Sequence, residues 1–312
     1  MFSHGTLISD RTPVQSMLRI SITIFVGFLI VGPFVGVMLS ALVFENSMDE
    51  FFKTGSINPT MVKPMILLQA VTTFVGLILF PIIHITKLEG KSLSPLFDNR
   101  VHLAQVLLLV ALLGLAFPLA ISPIMEWNAN LKFPSFLQEF EHWAREKENM
   151  MEQATKMLTG FNTPGELLVG LFVIALLPAI GEELAFRGMI QSELWRGSNN
   201  IHLAVWTSAF IFSAIHVQFF GFVPRLLLGA MFGYLYYWSG NLLVPIVAHF
   251  INNAFIVISI YLYNIKAIST DLEEVNVTWS LVIVAVVVTG ALIYQVRNLY
   301  LNASTTASNR SY

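Results

Sequence analysis

Two adjacent carboxylates, Glu182 and Glu183, are followed by Arg187 inside a run of otherwise apolar residues, and His216, His249, Asn252 and Asn253 lie on the apolar segments that come next. On a helix, Glu183 and Arg187 stand at i, i+4, the spacing at which an acid and a base pair on one face. Glu182 points about 100° away around the axis and lacks that partner. The two carboxylates therefore have different expected roles. Glu183 is held ionised by Arg187, whereas Glu182, facing a partly dehydrated cavity, is suited to act as a general base. Phe212 and His216 share a face at i, i+4, as do His249 and Asn253. His216 is placed to hold a water with Glu182, and His249 with Asn253 to donate hydrogen bonds to an oxyanion. The structural alternative is a buried ion-pair network of Glu182, Glu183 and Arg187 that fixes helix packing. Asn252 points to another face and is suited to bridging helices.

The elements that must position these groups are membrane helices. The chain of 312 residues carries 12% charged residues and a mean hydropathy of +0.70, about half the charge of a soluble domain, for which about 25% is usual. A bilayer core about 30 Å thick needs roughly 20 mostly apolar helical residues to cross it, because lipid offers backbone groups no partners. About eight such segments are readable. They run from Ile20 to Phe44, Met65 to Ile85, His102 to Met125, Pro164 through Ile180, His202 to Phe220, Pro224 to Trp238, Leu242 to Tyr263 and Trp279 to Leu299. The apolar stretch after Arg19 is too long for a cleaved signal peptide, so the first span is expected to stay.

The expected fold is thus all-α, a polytopic transmembrane helical bundle. Between spans three and four, Phe133, Phe136, Leu137, Phe140 and Trp143 recur at helical spacing among Glu139, Glu141, Arg145 and Glu148, the pattern of an amphipathic helix at a membrane surface or of a connector packed on the bundle. Thr163-Pro164-Gly165-Glu166 reads as a capping box that starts span four. Depth is reconciled if span four continues as a helix to about Trp195, which sets Glu182 mid-membrane. The chain divides into residues 1–163 (three spans and the connector), 164–264 (a four-span core with the polar residues) and 265–312 (the last span and a polar tail, Asn302 to Tyr312, expected to be disordered). Lys and Arg divide equally between the two sides, but the side of the termini concentrates Lys87, Lys91 and Arg100 in one short loop and Arg11 and Arg19 before the first span. Short loops and the first helix dominate the positive-inside rule, so both termini are expected in the cytoplasm.

Net charge of −2 removes the basic footprint of a nucleic-acid binder. Zero Cys excludes disulfide frameworks, thiol nucleophiles and Cys-ligated metals. Ionisable groups inside a span cost about 2.5 to 3.5 kcal/mol each on insertion scales and so mark function. Here they concentrate in the C-terminal half of the chain.

Glu182-Glu183-x-x-x-Arg187, then Phe212-x-x-x-His216, then His249-x-x-x-Asn253, in order and on successive apolar segments, resemble the three signature motifs of the CPBP family. That family includes type II CAAX prenyl endopeptidases, Abi proteins and bacteriocin-processing or immunity proteins. The resemblance covers about Pro164 to Phe255. It implies an intramembrane endopeptidase with about eight spans and a site opening toward the cytoplasm. In that reading Glu182 activates the water with His216 beside it, Glu183 and Arg187 support the site, and His249 and Asn253 stabilise the oxyanion. The family has been described both as metalloproteases and as metal-independent glutamate-type proteases. The sequence has no His-Glu-x-x-His, and a metal-free Glu182 is favoured. The alternative cofactor is zinc, with Glu182, His216 and His249 as ligands.

The expected partners are the lipid bilayer and a peptide or protein substrate at the membrane, lipidated or not. The aromatic residues Phe210, Phe212, Phe219, Phe220 and Phe222 suit either a groove for an apolar peptide or contact with lipid. Two non-enzymatic readings stand beside the protease. One is a binding or immunity protein that keeps the motif residues for structure. The other is a transporter or proton relay, which is disfavoured because the polarity is confined to one half rather than repeated in two.

Overall fold

Helices account for nearly all of the described chain, because consecutive apolar residues in lipid can satisfy their backbone groups only within their own segment. The structure is a computed structural model and describes residues 11–44, 59–97, 103–269 and 277–309. Ten helices organise it. They are α1 (Pro13–Phe44), α2 (Val62–Leu88), α3 (Leu103–Ala120), α4 (Ser122–Ala129), α5 (Gln138–Leu158), α6 (Pro164–Ser198), α7 (Ile201–Ala214), α8 (Phe222–Ser239), α9 (Leu243–Asn264) and α10 (Trp279–Asn309). Among the described residues there is no sheet, only one isolated bridge between Phe97 and Asn241. The chain is an integral, multi-pass membrane protein with an all-α bundle.

Seven helices among the described residues are long and apolar enough to cross a membrane. The expected fifth span differs. It ends at Ala214 after 14 residues, about 21 Å of rise, because the following residues turn away through Val217 at φ 54°. The expected third span breaks at Ile121, where Pro123 cannot continue the hydrogen bonding and instead opens α4. His102, expected to begin that span, lies outside the described residues. The tail expected to be disordered from Asn302 continues α10 to Asn309. Once a long helix is nucleated, each further residue adds a bond at little cost. Residues 310–312 lie outside the described part.

The capping box forms as read: Glu166 N–H donates to Thr163 Oγ1 at 3.3 Å, and Thr163 N–H to Glu166 Oε2 at 3.1 Å. From there α6 runs 35 residues without a break. Glu182 therefore sits at its middle, which settles the question of depth along the helix. Short α7 returns the chain from the end of α6, so α1 begins and α10 ends at the same end of the bundle. Pro13 lies against Gly197, and Arg196 Nη1 donates to the Arg11 carbonyl at 2.8 Å. At this end Glu89 pairs with Arg11 at 2.6 Å, and His84 Nδ1 meets Thr23 Oγ1 at 2.7 Å. The other end carries α4 and α5.

Two apolar clusters hold the bundle. One joins Ile20, Leu77, Phe186, Phe212 and Ile246, and the other Val110, Leu113, Phe232, Leu235 and Val296. Helix α1 meets α2 through glycines: a Cβ on Gly76 would stand 2.4 Å from Phe28 Cα, and one on Gly32 would stand 3.0 Å from Thr72 Cα. Small residues of this kind let membrane helices approach closely. We expect Gly76→Ala to destabilise the protein by about 1–3 kcal/mol through overpacking. Gly290→Ala, where a Cβ meets nothing within 4 Å, should be neutral or stabilising. Thermal unfolding in detergent compares the two, and equal effects would refute the close-packed α1–α2 seam.

Candidate active site

The centre of the site is one carboxylate oxygen. Glu183 Oε1 receives Arg187 Nη1 at 2.8 Å and His249 Nδ1 at 2.8 Å, joining α6 to α9. Glu183 and Arg187 are fully buried. The carboxylate only accepts, so His249 Nδ1 is the donor, and this leaves Nε2 as the nitrogen that faces Glu182 Oε2, 3.8 Å away. Glu182 makes no hydrogen bond among the described residues, and its side chain is 17% exposed. The i, i+4 pairing and the divergence of the two carboxylates are as the spacing requires.

Arg187 is held from several sides, with Nε left buried and without a hydrogen-bond partner among the described residues. Its Nη2 donates to the Gly229 carbonyl at 2.8 Å, and its guanidinium lies over the rings of Phe212 at 4.9 Å and Phe232 at 5.4 Å. One turn on, Gln191 Nε2 donates to the Gly233 carbonyl at 3.0 Å. Arg187 and Gln191 on α6 thus read two carbonyls of α8, and Gly229 and Gly233 permit it. A Cβ on Gly233 would stand 2.7 Å from Gln191 Oε1. The Phe232 ring also stacks on His249 at 4.9 Å, which fixes the imidazole plane.

His216 stands just beyond the end of α7. Its Nδ1 donates to the Phe212 carbonyl at 2.7 Å, which leaves Nε2 as an acceptor. The Phe212 ring touches both histidines, at 5.2 Å from His216 and 6.2 Å from His249. Asn252 Nδ2 donates to Asn253 Oδ1 at 3.2 Å. The structure thus gathers Glu182, Glu183, Arg187 and His249 into one contact group. His216 joins it through Phe212. Asn253 makes no contact with the group among the described residues. Among these residues, no group of three His, Cys, Asp or Glu side chains stands close enough together to hold a metal ion.

The turn after α7 is clamped from outside. Asn128 of α4 holds it at both ends, Nδ2 donating to Phe219 O at 3.3 Å and Oδ1 accepting from Val223 N–H at 2.8 Å. Phe133 packs on Phe219 at 5.1 Å, and Arg145 of α5 lies 4.2 Å over Phe220. Of the apolar stripe, Phe133 and Phe140 touch Phe219, whereas Phe136, Leu137, Trp143, Met150 and Met151 stay exposed. The Phe133 N–H, then Arg145, hold the Glu141 carboxyl below its ordinary value. This anchor of α5 is therefore present at neutral pH and weakens only as pH falls through the lowered value.

Residues 164–255 match the family model described as type II CAAX prenyl endopeptidase Rce1-like. They form a CPBP-family domain. Among curated relatives, the uncharacterized protein YpbD of Bacillus subtilis is 35% identical over 85 residues, 26% of this chain and 40% of that protein. The membrane-embedded CAAX protease MroQ of Staphylococcus aureus is 31% identical over 112 residues, 34% of this chain and 44% of that protein. The chain thus covers less than half the length of these relatives. No solved structure matches it significantly. The three CPBP motifs fall within the matched residues, and they supply α6, the turn after α7, and α9 to the site.

Removing one partner of a buried pair strands the other charge, at about 3–5 kcal/mol. Glu183→Ala and Arg187→Ala are expected to lose that much stability, and Glu182→Gln less than about 1 kcal/mol. SDS-induced unfolding in mixed micelles measures this. A loss in Glu182→Gln as large as in Glu183→Ala would assign both carboxylates to structure.

Proposed function

We propose that this protein is an intramembrane endopeptidase of the CAAX-protease type, in which Glu182 activates water without a metal ion. The observation that carries this reading is the split between the two carboxylates: fully buried Glu183 is held through Oε1 by Arg187 and His249, while Glu182 beside it makes no hydrogen bond among the described residues and keeps an exposed edge. In this mechanism Glu182 takes a proton from water as its oxygen attacks the scissile carbonyl. His249, oriented by Glu183, and Asn253 stabilise the developing oxyanion. The Nε2 acceptor of His216 holds the second proton of the attacking water. The tetrahedral intermediate then breaks its C–N bond, and the proton held on Glu182 passes to the leaving amine. One peptide bond and one water become a carboxylate and an ammonium group, the second water proton leaving the new carboxyl by way of His216. Substrates are peptide segments that reach the bilayer, lipidated or not.

We place the approach to Glu182 toward the α5 end. In the opposite direction, residues 183 to 193 are buried without interruption, whereas His216, Gln218 and Arg225 occupy the α5 side. The termini lie at the other end, so cytoplasmic termini and a cytoplasmic mouth exclude one another. With Lys and Arg weighted as short loops require, the termini are cytoplasmic and cleavage occurs on the opposite face.

The test compares peptide termini in membranes of cells making wild-type protein or Glu182→Ala at matched levels, read by terminus-selective mass spectrometry. New termini are expected only with the wild type, from segments on the α5 side, and the purified variant should cleave about 10²–10⁴-fold more slowly. Cleavage by the purified wild type should survive 1,10-phenanthroline. Indistinguishable profiles would overturn proteolysis in favour of a binding or immunity role, and loss of cleavage with the chelator would restore zinc.

A further inference from the structure

Arg225, in the first turn of α8, belongs to none of the three motifs, yet it stands beside the turn that carries His216. Its Nη2 donates to Gln218 Oε1 at 2.8 Å, in the same turn that carries His216. Gly221 makes room for it, since a Cβ there would stand 3.2 Å from that nitrogen. The other terminal nitrogen, Nη1, is buried with no hydrogen-bond partner among the described residues. On α5, Glu148 Oε2 is also buried and unpartnered. The two side chains act on each other electrostatically, and Arg225 acts likewise on Glu182 and His216. They do not close an ion pair.

A buried guanidinium nitrogen without an acceptor is costly, and a planar fork with one arm fixed is shaped to take a carboxylate. Arg187 in the same protein also leaves one nitrogen, Nε, unpartnered, but it closes its ion pair with Glu183. Arg225 has its carboxylate close enough to feel and not close enough to bond. This is the arrangement of a site whose proper partner arrives from outside.

We infer that Arg225, oriented by Gln218, binds a carboxylate of the peptide substrate beside the water-activating Glu182, and that Glu148 of α5 balances its charge until the substrate displaces that interaction. The inference rests on the proteolytic reading and deepens it. The bound group is either the terminal carboxylate of the peptide or an Asp or Glu side chain at fixed distance from the cut.

The test uses the full chain in phosphatidylethanolamine and phosphatidylglycerol nanodiscs, with a synthetic peptide spanning a cleavage site found by the terminus comparison. The peptide is made as free acid, as C-terminal amide, and with its Asp and Glu replaced by Asn and Gln. Wild type is expected to prefer whichever form keeps the bound carboxylate, and the form whose loss matters identifies the source. Arg225→Gln should raise KM for the preferred form about 10- to 100-fold and treat the three forms alike. Glu148→Gln should lower KM for the preferred form, which a merely structural pair would not do. Equal cleavage of all forms by wild type overturns the inference while proteolysis stands. So does an Arg225→Gln loss that is the same for every form or confined to kcat. Absence of any cleavage by wild type removes proteolysis, and the inference with it.

Discussion

A single carboxylate oxygen, Glu183 Oε1, accepts from both Arg187 and His249, and the arrangement of the membrane core follows from it. A buried carboxylate is tolerable only when paired and hydrogen-bonded, and here the pairing draws α6 and α9 to one point. Arg187 then has a second arm to satisfy, and it finds the Gly229 carbonyl of α8. Three helices are thereby fixed by one charge group. The same pairing sets the chemistry, because it decides which His249 nitrogen faces Glu182.

The aromatic rings around this group supply a low-polarity wall that fixes its orientation. Phe232 stacks on His249, Phe212 stands between the two histidines, and both rings flank the Arg187 guanidinium. Cation–π contact adds to the ion pair without demanding another polar group. Outside this wall, α4 and α5 hold the turn that carries His216 and Gln218. The long polar connector between spans three and four is thus the support of the site's outer half.

Much of this was legible in the sequence where the contact is local. The i, i+4 pairing of Glu183 with Arg187, the capping box at Thr163 and Glu166, and the divergence of Glu182 follow from helical periodicity alone. The sharing of Glu183 by His249 was not legible, because residues 66 apart in the chain meet through tertiary packing. The roles of Gly76, Gly229 and Gly233 were missed for a similar reason, although the Gly229-x-x-x-Gly233 spacing was a signal in plain view. Arg225 was not legible as part of the site, since nothing in its neighbours foretells an unpartnered guanidinium nitrogen. The end of α7 was misplaced because Ile215, Val217 and the following phenylalanines continue the apolar run through a turn.

That short helix couples the site to its solvent. At about 21 Å of rise, α7 falls well short of the about 30 Å hydrocarbon layer that its neighbours cross. The bilayer beside it must thin, or the polar turn at its end must lie below the headgroups, at a cost of fractions of a kcal/mol per ångström. Either way the water–lipid boundary is drawn inward at His216, toward the middle of α6. Membrane thickness thereby becomes a variable acting on the site, and a bilayer rich in long, ordered chains opposes the same dip that a thinner one accommodates.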